Sequence, residues 1–115
     1  MVDQVIQGMS DQRVMVLAPV INERKGEHLH VFQELIGNGF VRARINGLVV
    51  ELDDAPALDK NKKHTIEAVV DRVRVKDDIA QRLAESFETA LNLSDGVAYV
   101  IDMDDADLPA TIFSA

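Results

Sequence analysis

Cysteine and tryptophan are both absent from the 115-residue chain, and aromatic residues amount to 4%, four Phe and one Tyr. Without cysteine there is no disulfide, no thiolate nucleophile and no thiolate metal ligand. With so few rings, the core has to come from Val, Leu, Ile and Ala. No apolar run approaches the ~20 residues of a membrane-crossing helix. The opening MVDQVIQGMSDQR lacks the basic and then apolar pattern of a secretory leader. A cytoplasmic location is the expectation, since a chain free of cysteine fits a reducing compartment.

Bases are also missing from both ends. Residues 1–12 carry two acids and no base, and 83–115 carry seven acids and no base. All 12 Lys and Arg fall within 13–82, against 11 acids, in a chain of net charge −8. The middle can therefore present a basic face within an acidic protein, and local fields steer partners more than net charge does. The overall sign speaks against a dedicated nucleic-acid binder. Hydrophobic residues reach 47%, enough to bury a core and to exclude wholesale disorder. One domain over 1–115 is expected, with 1–12 and 103–115 as less ordered flanks.

The periodicities predict an α+β fold. Residues 13–21 read as a buried strand that Pro19 ends. From about Glu27, Leu29, Phe32, Leu35 and Ile36 share one helical face, and Gly37 and Gly39 close the helix. Asn46-Gly47 between two apolar runs predicts a type I′ hairpin turn, which fixes the register. Ile45 then opposes Leu48, Ala43 opposes Val50 and Val41 opposes Leu52, on a shared apolar face; Arg44 meets Val49 and Arg42 meets Glu51 on the other. Asp59 to His64 read as a surface loop, and Thr65 to Val75 as a long strand whose alternation slips near Asp71-Arg72, as a bulge would make it. Asp77-Asp78 are expected to cap a helix to about Leu93, with Ile79, Leu83, Phe87 and Leu91 on its buried face. Val97 to Ile101 reads as a strand, Asp102 to Asp107 as an acidic turn, and Leu108 to Phe113 as a short edge strand. The order is β-α-β-β-β-α-β(-β): two helices on a mostly antiparallel sheet, in two layers.

Motifs for catalysis and metal binding are missing. There is no phosphate loop, and Gly37-Asn38-Gly39 follows a helix instead of preceding one. His28, His30 and His64 lack the i, i+4 spacing of a zinc pair and read as solvated. The acidic run from Asp102 has Asp107 and Phe113 where a calcium loop needs Gly and Glu. Ser10, Ser86, Ser94 and Ser114 have no nucleophile elbow around them. Two basic features stand out: Lys60, Lys62 and Lys63 in one loop, and Arg42, Arg44, Arg72 and Arg74 as i, i+2 pairs on strands. The arginines suit bidentate contact with carboxylate or phosphate. Periodicity alone favours the plainer reading, a solvated face with local partners such as Glu51, Glu67 and Asp71.

LAPVINERKGEH (17–28), GFVRARINGLVVELDD (39–54) and LDKNKKHTIEAVVDRVRVKDDIAQRLAESFETAL (58–91) together resemble one family, in its order and at its spacings. This is the UvrB-binding, or interaction, domain of UvrA, the damage-sensing ATPase of the excinuclease ABC complex in bacterial nucleotide excision repair. The resemblance implies a non-catalytic docking module for UvrB, inserted in a dimeric ATPase whose ATP and zinc sites lie elsewhere in that parent. It implies no cofactor in this stretch and no membrane partner. It implies that Arg42, in V-R-x-R, and Arg72, after the Asp of V-V-D-R, face UvrB, with Arg44, Arg74 and Glu51 as neighbours. A DNA contact through Lys60, Lys62, Lys63 and the strand arginines is the alternative.

Overall fold

A continuous apolar stretch, Val14 to Leu17, lies inside the strand that organises the sheet. In a computed structural model, which describes residues 1–105 and 108–115, the elements are α1 (Val2–Gly8), β1 (Arg13–Lys25), α2 (Leu29–Gly37), β2 (Arg42–Ile45), β3 (Leu48–Glu51), a 3-10 turn (Leu52–Asp54), β4 (Lys63–Arg74), α3 (Ala80–Leu93), β5 (Val97–Asp102) and β6 (Thr111–Ser114). Hydrogen-bonded neighbours run β3-β2-β4-β1-β5-β6, and the sheet is antiparallel, so the α+β expectation holds. The last two residues of the acidic turn expected at 102–107 lie outside the described residues. The chain divides into two compact units, Pro19–Val69 and Met1–Ala18 with Val70–Ala115.

In the first unit the hairpin forms as the turn chemistry dictates. Asn46 and Gly47 both take positive φ, +52° and +87°, and the register is Ile45↔Leu48, Ala43↔Val50, Arg44↔Val49 and Arg42↔Glu51. β2 pairs on its other side with β4, through Ala43↔Ala68, Arg44↔Glu67 and Ile45↔Ile66. Ala43, Ile45, Ile66 and Ala68 are all buried, and α2 adds Phe32 and Leu35 to the core. The apolar face is only partly covered: Ala43, Ile45 and Leu52 are buried, whereas Leu48, on the outermost strand β3, and Val41, just before β2, are exposed.

A further departure in this unit concerns β1, which runs on through Pro19 to Lys25. The β1–β5 register has ended at Leu17↔Tyr99, so on that side Pro19 removes no ladder bond. Along β4 four consecutive residues, 66–69, are buried, so both faces of the strand are covered there, while its pairing with β2 runs without interruption from Ile66 to Ala68.

His64 is the larger correction, since it is buried and not solvated. Its Nε2–H donates to the Asp59 carbonyl at 2.8 Å, and its Nδ1 accepts from Asn46 Nδ2–H at 2.9 Å. Asn46 Oδ1 accepts in turn from the Thr65 N–H at 2.9 Å. One side chain thus tolerates the left-handed turn and ties it to the start of β4. Asn46→Ala is expected to lower stability by about 1–2 kcal/mol, from lost hydrogen bonds and a strained turn. Urea unfolding measures this; an unmoved midpoint would mean the tie contributes nothing.

The second unit holds α1, α3, β5, β6 and segments of β1 and β4. Val14 to Ala18 are all buried, so this part of β1 is covered on both faces. β5 pairs with β1 and β6 with β5, Ala98 opposite Phe113. Phe113 packs edge-on against Phe87 of α3, with ring centroids 5.2 Å apart. Asp77 and Asp78 do not cap α3; its N-cap is Ile79, held by a turn in which the Ile79 N–H donates to the Lys76 carbonyl at 3.1 Å. α1, in a segment expected as flank, packs on α3 and buries Val5 completely.

Candidate partner-binding site

Strand alternation sets the first group of arginines. Ala43 and Ile45 point into the core, so Arg42 and Arg44 project from the opposite face of β2. Arg44 Nε lies 3.1 Å from Oε1 of Glu67, its cross-strand partner, but is not aligned for a hydrogen bond, so the contact is one of charge. Glu67 is buried, and burial pushes its carboxyl above the usual range, with Arg44 pulling it back only in part. Arg42 is held more loosely: its Nη2 is 3.8 Å from Oε1 of the exposed Glu51. The β2–β4 register carries no arginine opposite Arg42 or Arg44; the long strand meets them through Glu67 and its neighbours.

Arg72 and Arg74 belong to the other unit and share the exposed face of β4, with Val73 and Val75 buried behind them. A shallow recess there is lined by Arg13, Arg72, Val73, Arg74 and Met103. Arg74 Nη1 donates to the Asp11 carbonyl at 2.7 Å, which fixes its side chain. Arg13 is committed to Asp104, its Nε donating to Oδ2 at 3.1 Å. Arg72 makes no ion pair among the described residues, so its guanidinium is available to a partner.

Arg13 was not legible as part of this group. It opens an apolar strand, and its neighbours in the recess lie far along the chain, so no local pattern marks it. Asp71, a candidate local partner for the strand arginines, is taken instead by α3. Arg82 donates to both of its oxygens, at 2.8 and 2.9 Å, and Ser86 Oγ donates at 2.8 Å. Burial alone would raise this carboxyl; the hydrogen bonds from Arg82, Ser86 and the Arg72 N–H outweigh it and hold the carboxyl below its ordinary range.

Lys60 and Lys62 sit in the exposed loop before β4, and Lys63 is the first residue of that strand. No group of three or more His, Asp or Glu able to hold a metal occurs among the described residues. No helix among them is long and apolar enough to cross a membrane.

Sequence comparison places these features in context. The family model for the UvrA interaction domain matches residues 1–104. UvrABC system protein A of Pseudomonas putida is 60% identical over 115 residues, and that of Pseudomonas aeruginosa 60% over 116. UvrABC system protein A of Escherichia coli K12 is 56% identical over 115 residues. In each case the match covers 100% of this chain and 12% of the relative, so the chain spans about an eighth of the length of the curated relatives it matches.

Proposed function

Because the chain belongs to the UvrA interaction domain family, we propose that it is the module through which a UvrA protein docks UvrB in nucleotide excision repair. The family match over nearly the whole chain is the observation that carries this reading. The side chains supply compatible chemistry. Arg72 is exposed without an ion pair among the described residues, and Arg42 is paired at a loose 3.8 Å, so each can exchange solvent or a weak partner for a carboxylate on UvrB at little cost. Arg44, Arg74 and Glu51 would flank these contacts; Arg44 and Arg74 are already engaged within the chain and serve as supports. No bond-making step is asked of the module. Delivery of UvrB to damaged DNA, and ATP hydrolysis, would fall to the full-length protein.

Calorimetric titration of the chain into purified UvrB tests the reading. Arg42→Ala combined with Arg72→Ala is expected to weaken binding at least about tenfold, the loss from one desolvated charged contact at minimum. Added salt should slow association more than it speeds dissociation. Both arginines lie on the exposed side of their strands, so the double variant should melt as the parent does. Undiminished affinity for UvrB in a folded double variant would overturn the assignment.

A further inference from the structure

Beyond the arginines, the Pro19–Val69 unit carries a second cationic feature at the end where β1 stops and β4 begins. The Thr65 hydroxyl donates to Glu23 Oε1 at 3.2 Å, which ties the two strand ends together. His28 Nε2–H donates to the Arg24 carbonyl at 3.0 Å, and its ring stands edge-on to that of His64, centroids 6.1 Å apart. His64 in turn holds Asp59, the first residue of the lysine loop, and the Lys62 N–H donates to the same Asp59 carbonyl at 3.1 Å. This chain of contacts gathers Arg24, Lys25, Lys60, Lys62 and Lys63 at one end of the unit. All five are exposed, and none makes an ion pair among the described residues. Three acids accompany them, Glu23, Glu27 and Asp59, so this end is net positive on a chain of net charge −8.

We propose that this basic end binds the phosphate backbone of duplex DNA. Lysine is depleted from protein–protein interfaces and common against phosphates, and four of the five cations here are lysines with flexible stems. The sequence offers no Phe, Tyr or Trp in 23–30 or 57–66, hence no platform for stacking unpaired bases. The contact is therefore with backbone and independent of base sequence. The acidic remainder of the chain repels DNA, which leaves this end as the favoured approach. The buried His64 is a positioning residue, holding the loop that carries three of the five charges.

The test is fluorescence anisotropy of a labelled duplex of arbitrary sequence, titrated with the 115-residue chain over a series of salt concentrations. Binding at low salt should fall steeply as salt rises, each neutralised phosphate contributing about 0.9 to the logarithmic slope. Lys60→Gln, Lys62→Gln and Lys63→Gln together should weaken low-salt binding at least about tenfold and reduce the slope by about 2–3. Arg42→Ala with Arg72→Ala should leave that slope in place, and the lysine variant should still titrate UvrB, which separates this surface from the docking one. Thermal melting of the variant confirms that it is folded; these side chains are exposed, so no shift is expected. Absence of DNA binding at low salt, or an unaltered slope in the lysine variant, would overturn the proposal. So would displacement of the duplex by polyglutamate as readily as by unlabelled duplex, which would make this a surface for an acidic polypeptide.

Discussion

Leu83→Ala is expected to cost about 3–4 kcal/mol, from lost transfer free energy and the cavity left behind. Leu83 is completely buried on α3, in a core with few large side chains that could close over a void. Its helix also carries Phe87, whose ring meets Phe113, and Ala90, both buried. Small domains hold about 5–15 kcal/mol in all, so this single change removes a large share. The melting temperature should drop by roughly 10 °C or more, at about 4 °C per kcal/mol for a chain slightly above ~100 residues. Leu83→Met conserves volume and should cost under about 1.5 kcal/mol. Denaturant unfolding of the two variants distinguishes a cavity effect from a general intolerance of substitution. A loss below ~1 kcal/mol for alanine would show that α3 can settle into the gap.

Asp71→Ala should be nearly as damaging, at about 2–3 kcal/mol. The carboxylate joins β4 to α3, and its removal leaves the buried Ser86 hydroxyl and the Arg72 N–H without their acceptor. Arg82 is more than half exposed, so its own contribution is discounted for solvent screening. Asp71→Asn keeps the shape and one acceptor and should cost less. The carboxyl is held below its ordinary range, so the folded state favours the ionised form. Its stabilisation is complete above the unfolded-state value, about 3.9, and is lost as pH falls through the folded value. The parent should therefore lose stability on acidification below about pH 4, and the asparagine variant should lose less over that window. Parallel unfolding curves from about pH 6 to about pH 2 provide the check, with equal acid sensitivity in both counting against the role given to Asp71.

Local signals in the sequence are legible, and long-range ones are not. Asn46-Gly47 discloses both turn and register because a two-residue loop leaves one pairing, and the Leu83–Phe87 spacing discloses the buried face of α3. α1 escapes because seven residues ending in Gly carry little helical periodicity; α3, far along the chain, supplies the surface that buries Val5. The extent of β1 escapes because the effect of proline depends on which side of the strand is paired at that point. His64 looks like part of a lysine loop, and only the fold brings Asn46 and the Asp59 carbonyl to its two nitrogens. The site follows the same rule. The projection of Arg42 and Arg44, and of Arg72 and Arg74, away from their buried neighbours comes from alternation, whereas the presence of Arg13 beside two of them depends on long-range pairing.

The two units differ in how the chain supplies them. Pro19–Val69 is one contiguous stretch, whereas its companion needs Met1–Ala18 and Val70–Ala115 together. On a ribosome, therefore, the contiguous unit can close as soon as its own last strand has emerged. The apolar run at Val14 to Ala18, made earlier, has to wait for β5 and α3. Until then it is a short, uncharged, β-prone segment without its partners, the kind that invites pairing with another nascent chain. The entropic cost of bridging the intervening residues grows only logarithmically with their number, so the delay is set by synthesis and not by the search.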